Sequence, residues 1–327
     1  MQLGQAVEGF MEGFFSTRRR SEKTRTAYKT DLAQLQSSFG AEGPISMIDA
    51  DSLEKWAGDL RSRGYAPVSI RRKFATVRVL FAYWVRKGTL DSSPLWKIRL
   101  DLGRQRLLPR SLTESDMKRL IECMWRHVDR TRPILSSPRD RRFLAVRNVA
   151  MLEILFATGI RVGELASLTC QDWREDEAAF LVMGKGLRQR LALLPDERSQ
   201  RALRTYLQHR AVMSLGHDAL LVNAAGRRLS SQGVARVITI AAKDSGIKAR
   251  VTPHMIRHTV ATLLLRCGAD IRVVQEVLGH ASILTTQRYT YVSKEHLMST
   301  LQTRHPNHHL NIELPHSAGA QLTLPLY

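Results

Sequence analysis

Residues 252–268, TPHMIRHTVATLLLRCG, decide how this chain is read. Pro253 suits a helix start and Gly268 a helix stop, so the segment predicts a helix over roughly His254 to Arg266. That helix is rich in Val, Leu and Ala, yet His254 and Arg257 stand three apart on one face of it. A second helix is expected from near Asp270 to Gly279, its apolar run VVQEVLG leading directly into His280. Upstream, the run MLEILFATGI ends at Arg161, where another helix opens. Two short apolar stretches, from Ala178 and from Arg190, flank a Gly-containing turn and read as a β-hairpin with Lys185 at or near its tip. The expected fold class is mainly α with a small β-sheet.

Further out, the first hundred residues also read as helices. Tyr28, Leu32, Leu35 and Phe39 recur at helical spacing, as do Leu53, Trp56 and Leu60. Ser69 suits the cap of a third helix, whose buried face is Ile70, Phe74, Val77 and Phe81. Arg71, Arg72, Lys73 and Arg78 fall off that stripe and are left to solvent or to a ligand. Residues 98–112 read as a basic linker, and the arginine-rich stretch 126–142 as a loop with no assigned role.

The chain has 327 residues and a formal charge of +20, which draws polyanions, nucleic acid above all. Residues 1–105 carry a net +7 and residues 106–305 a net +14, so both main segments are basic. The neutral end of the chain has no Lys or Arg from Pro306 onward and is expected to be disordered or to dock on protein. Apolar residues make up 43%, enough for a globular core, and no stretch reaches the ~18 apolar residues of a membrane helix. At the N-terminus the charges follow the apolar part, the wrong order for a secretory signal. Three dispersed cysteines fit neither a disulfide framework nor a zinc module, and suit the cytoplasm.

Several polar residues thus stand where a core would favour apolar ones, and each has a bland explanation. Arg161 can pair with Glu164, a His-x-x-Arg pair is often merely satisfied, and His280 can be a cap. Read as a set, they supply what phosphoryl transfer without a cofactor requires. Two guanidiniums hold non-bridging oxygens, and a hairpin lysine can protonate a leaving oxygen. Imidazoles can exchange protons, and Tyr289 becomes a nucleophile when a base and cations surround it. Other chemistries fit poorly. His254 and His258 lack the intervening glutamate of a zinc-protease helix, and no GxxxxGK[ST], GxSxG or dense carboxylate cluster occurs.

The segments RNVAML (147–152), ATGIRVGEL (157–165), Gly184-Lys-Gly, TPHMIRHTVAT (252–262), Leu278-Gly-His and TTQRYT (285–290) resemble the tyrosine recombinases, the phage-integrase family. The resemblance covers about residues 20–300 and is weakest in the N-terminal part, which is similar to a SAM-like core-binding domain. It implies a catalytic set of Arg161, Lys185, His254, Arg257, His280 and Tyr289. Tyr291 is the rival nucleophile, but two residues along a helix is about 200° of rotation, and the offset from His280 favours Tyr289. Asn148 stands where many relatives have Asp, and Tyr291 where many have His.

The resemblance also implies an organisation: a helical DNA-binding domain over 1–100, a linker over 101–112, a mixed α/β catalytic domain over 113–305, and a tail over 306–327 that docks on a neighbouring protomer. The expected activity is site-specific DNA recombination through a 3′-phosphotyrosyl bond and a Holliday junction, without metal or ATP. The implied partner is double-stranded DNA with a specific site, gripped by a C-shaped clamp and bound by four protomers on two sites, with accessory proteins or a second recombinase left open. Arg71, Arg72, Lys73, Arg78 and Arg188 are the expected DNA contacts, and the expected location is the cytoplasm, at the nucleoid. A type IB topoisomerase and a catalytically silent architectural factor are the alternatives. The motifs do not separate chromosome-dimer resolution from transposon cointegrate resolution or element integration.

Overall fold

The computed structural model describes residues 1–16, 22–98, 100, 111–131, 137–184, 189–213, 215–279, 294–308 and 310. The chain divides into two units, Met1–Arg106 and Leu107–Tyr327. In the first, α1 (Leu3–Ser16), α2 (Glu22–Phe39), α3 (Ala50–Ser62) and α4 (Pro67–Arg86) share one core. The expected stripes hold: Leu32 and Leu35 of α2, Leu53, Trp56 and Leu60 of α3, and Ile70, Phe74, Val77 and Phe81 of α4 are all buried. An Asp49–Ser52 capping box starts α3, and Trp84 Nε1 donates to the Ala6 carbonyl at 2.9 Å, tying α4 to α1.

At two places the helix α4 departs from the expectation. The cap of α4 is Ala66 rather than Ser69, because Pro67, with fixed φ and no N–H to leave unpaired, takes the first helical position. Lys73 does not face solvent: it is 2% exposed, and its Nζ donates to the fully buried Asp31 at 3.1 Å. Arg72 Nη1 (2.8 Å) and Thr76 Oγ1 (3.1 Å) donate to the same carboxylate. Three donors offset the cost of burying an ion, which periodicity on α4 alone cannot reveal. Arg71, Arg72 and Arg78 remain exposed.

The second unit consists of α5 (Glu114–Asp129), α6 (Arg141–Thr158), α7 (Val162–Ser167), β1 (Trp173–Arg174), β2 (Ala179–Met183), β3 (Gln189–Leu193), α8 (Glu197–Ala211), α9 (Ser231–Asp244), α10 (Pro253–Arg266), α11 (Ile271–Leu278) and α12 (Lys294–Arg304). The hairpin forms as expected, with β2 and β3 antiparallel from Ala179↔Leu193 to Met183↔Gln189. The two-residue β1 completes a sheet of order β1-β2-β3. The 126–142 stretch is less of a loop than expected. α5 continues to Asp129, and α6 begins at Arg141 behind its cap Asp140. Arg142 closes the end of α5, donating to the Val128 and Thr131 carbonyls.

Nearly all of α6 is buried, so it forms the axis of this core. Its Glu153, 1% exposed, accepts from Arg198 and from Trp125 Nε1. Its Arg147 is buried too and, among the described residues, donates to Asn148 Oδ1 (3.1 and 2.6 Å) and the Val222 carbonyl (2.8 Å). Burial pushes the Arg147 guanidinium down to about 10. Asn148 is only half-buried, so a carboxylate there would be hydrated enough to ionise. Asn148→Asp is therefore expected to turn both bonds into charge-assisted ones and to stabilise the fold by about 1 kcal/mol. A urea midpoint unchanged or lowered at neutral pH would contradict that.

The packed body extends beyond residue 305. His305, Asn307 and Leu310 are buried, and Asn307 Nδ2 donates to Asp196 Oδ2 at the cap of α8. The start of the expected tail thus docks on its own chain, and the rest of it lies outside the described residues. No helix among the described residues is long and apolar enough to cross a membrane.

Candidate active site

Two helix ends create the site. α6 stops at Gly159 and α11 at Gly279, both in the left-handed conformation with φ of +59° and +61°. The ends abut closely: a Cβ on Gly159 would lie 2.6 Å from Leu278 Cδ2. The carbonyls at such ends carry partial negative charge and need donors.

Arg257, projecting from α10, supplies them. Its Nη1 donates to the Gly159 carbonyl (2.7 Å) and its Nη2 to that of Leu278 (2.6 Å). Arg161, at the start of α7, donates through Nη2 to the Gly279 carbonyl (3.0 Å) and through Nη1 to Glu164 Oε1 (2.8 Å). The two arginines named from sequence therefore meet at the same pair of helix ends. The bland pairing of Arg161 with Glu164 is real as well, and belongs to this arrangement. Arg257 is 7% exposed, and burial together with the neighbouring Arg161 charge brings its guanidinium down to about 10. Arg161 keeps its side chain 42% exposed, so it remains open to solvent.

A third guanidinium escaped the sequence reading. Arg190, on β3, donates through Nη2 to Glu164 Oε2 at 2.9 Å and is 12% exposed. The available signal was an arginine opening the apolar run Leu191–Leu194. Burial raises the Glu164 carboxyl, but hydrogen bonds from Arg190, the Arg161 N–H and the Arg161 guanidinium outweigh it, and the pKa ends below the ordinary value. Such a group contributes stability that is complete above its unfolded pKa, about 4.3, and lost as pH falls through the lower folded value. Urea midpoints are thus expected to fall below about pH 4.3 in the wild type. Glu164→Gln should be less stable at neutral pH and show a flatter acid limb, and an identical pH profile would refute this contribution.

His254 lies exposed at the start of α10 and packs edge-on to His258, ring centroids 4.6 Å apart at 89°. Burial, then the nearby His254 and Arg257, lower the His258 pKa. The site thus brings together Arg161, Arg257, Glu164 and Arg190. Lys185, Arg188, His280, Tyr289 and Tyr291 lie outside the described residues. The described residues next to two of these positions are Gly184, directly before 185, and Gly279, directly before 280.

Arg161 and Arg190 share the Glu164 carboxylate, while Arg161 and Arg257 are held by carbonyls at the ends of α6 and α11, and such a concentration of guanidiniums can bind an anionic group. Residues 111–296 match the Phage integrase family and residues 7–88 match the Phage integrase, N-terminal SAM-like domain. Tyrosine recombinase XerC of Listeria monocytogenes serovar 1/2a is 31% identical over 312 residues, covering 94% of this chain and 99% of that protein. Among solved structures, a lambda integrase tetramer bound to a Holliday junction has the same fold, with a TM-score of 0.66 and 18% identity over 90% of this chain and 81% of that one. XerH site-specific recombinase bound to a palindromic difH substrate, in a post-cleavage complex, gives a TM-score of 0.63 and 22% identity, covering 85% of this chain and 78% of that chain. The chain belongs to the phage integrase family. It is a tyrosine-type site-specific DNA recombinase.

Proposed function

We propose that Tyr289 is the nucleophile and that Arg161 and Arg257 hold the scissile phosphate. The convergence of both guanidiniums on Gly159, Leu278 and Gly279 carries this reading. The Tyr289 oxygen attacks phosphorus and the bond to the 5′-oxygen breaks, leaving a 3′-phosphotyrosyl ester and a 5′-hydroxyl. His254 takes the tyrosine proton, Lys185 gives one to the leaving oxygen, and His280 donates to a non-bridging oxygen. The ester conserves the energy of the broken bond. A 5′-hydroxyl from a partner duplex can therefore reverse the step and release Tyr289, with no consumption of ATP.

The proposed partner is duplex DNA bearing a specific recombination site, with four protomers on two sites. The lambda integrase tetramer on a Holliday junction, of the same fold, supports that assembly. Arg71, Arg72 and Arg78 of α4, and Arg188 beside the hairpin turn, are the proposed backbone contacts, consistent with the charge of +20. The residues after 310 are proposed to pack on a neighbouring protomer, and the enzyme to work in the cytoplasm, at the nucleoid.

The test uses a nicked duplex carrying a site selected from a randomised pool, so that the short 5′-hydroxyl fragment diffuses away and traps the ester. Wild-type protein should form a covalent adduct in chelator and without ATP, and Tyr289→Phe should form none. An adduct from Tyr289→Phe, or a wild-type adduct only when metal is added, would overturn the reading.

A further inference from the structure

We infer that Arg190 is a positioning residue for strand cleavage: it restrains Glu164, and through it Arg161, and it seats the backbone at Gly279. The inference rests on the reading of Arg161 as a phosphate clamp, and it begins from the sharing of one carboxylate. Glu164 accepts from Arg161 through Oε1 and from Arg190 through Oε2, at 2.8 and 2.9 Å, and caps the Arg161 N–H at 2.9 Å. A carboxylate with a single arginine partner tends to take it bidentately, as two parallel bonds. With one oxygen already held by Arg190, Glu164 is prevented from drawing Arg161 into such a fork and away from a substrate phosphate.

The second observation lies on the other side of Arg190. Its Nε is buried and has no hydrogen-bond partner among the described residues. A Cβ on Gly279 would lie 2.6 Å from that Nε, 2.8 Å from Cζ and 2.9 Å from Cδ. The arginine side chain thus lies directly on the bare Cα of Gly279, while Arg161 holds the carbonyl of that same glycine. The residue that precedes His280 is gripped from two sides, by the two arginines that share Glu164. Arg190 also lies close to Lys185 along the chain, with only residues 186–189 between them. One side chain therefore links β3, the proposed clamp, and Gly279, the last described residue before 280.

The test measures single-turnover cleavage of the nicked duplex and, separately, its binding. Arg190→Ala should bind within about twofold of wild type and cleave about tenfold to a hundredfold more slowly, the scale of a modest misplacement. Arg190→Lys, which restores one donor, should fall between the two. Arg190→Ala combined with Glu164→Gln should cleave no more slowly than Arg190→Ala alone, because both changes act on the same carboxylate. Wild-type cleavage by Arg190→Ala, a rate loss matched by lost binding, or a double variant slowed by the product of the single effects would each overturn the inference. Should Arg190→Ala fail to melt cooperatively, Arg190→Lys replaces it, and a wild-type rate for that variant overturns the inference equally. Arg161→Ala separates the two layers: full activity there removes the clamp reading itself, whereas an inactive Arg161→Ala beside a fully active Arg190→Ala removes only the role of Arg190.

Discussion

Arg257→Ala is expected to slow covalent adduct formation by about 100- to 1,000-fold, the usual cost of removing one preorganised donor from a developing oxyanion. It also leaves the Gly159 and Leu278 carbonyls without their donors. Each orphaned buried acceptor costs about 1–3 kcal/mol, partly offset because a buried charge disappears with the side chain. The loss of rate should therefore exceed what any loss of folded protein explains, and binding and melting measurements separate the two. Arg257→Lys is the more revealing change. One ammonium cannot hold both carbonyls in a planar fork. The environment that brings the arginine down to about 10 should also push a lysine well below its ordinary ~10.4. A lysine is charged below its pKa and neutral above it, so cleavage by Arg257→Lys should fall as pH rises through that lowered value. The wild type, still charged there, should not follow. Parallel pH profiles for the two proteins would contradict the placement of this charge.

The largest expected effect on stability belongs to Asp31→Ala. Asp31 is fully buried and is the ion-pair partner of Lys73, itself 2% exposed. Removing the carboxylate strands a buried ammonium, for which about 3–5 kcal/mol is typical. Asp31→Leu with Lys73→Met removes both charges, and should recover most of that loss because no unpaired ion remains. A single variant within 1 kcal/mol of wild type, on the order of an exposed pair, or a double variant no better than the single, would show that this cluster is not held by its ion pair. Arg72, half-exposed and bonded to the same Asp31 oxygen as Thr76, should lose its fixed orientation in either variant.

The parts of this molecule legible in the sequence are those set by short-range periodicity and by punctuation. The stripes of α2, α3 and α4 and the bounds of α10 and α11 follow from apolar spacing, Pro253, Asp270 and Gly279. Features that depend on distant partners were not legible. Lys73 is drawn inside by a carboxylate 42 residues away. β1 has two residues and exists only through Phe180 and Ala179 opposite it. α1 carries no strong local signal beyond its apolar face, which becomes meaningful only against α2 and α4. Among the candidate residues, Arg161, His254 and Arg257 could be named because they interrupt apolar runs. Arg190 could not, since its significance arises from Glu164, 26 residues earlier, and from the missing Cβ of Gly279.

The claim beneath all of this is that the guanidiniums at the ends of α6 and α11 present one phosphorus atom to one particular phenol. Its most direct test is to trap the adduct on a nicked site, digest the protein, and locate the modified tyrosine by mass spectrometry. The expected result is a single peptide with the 3′-nucleotide on Tyr289. Modification at Tyr291 or at a tyrosine outside this segment, with Tyr289 untouched, would contradict it.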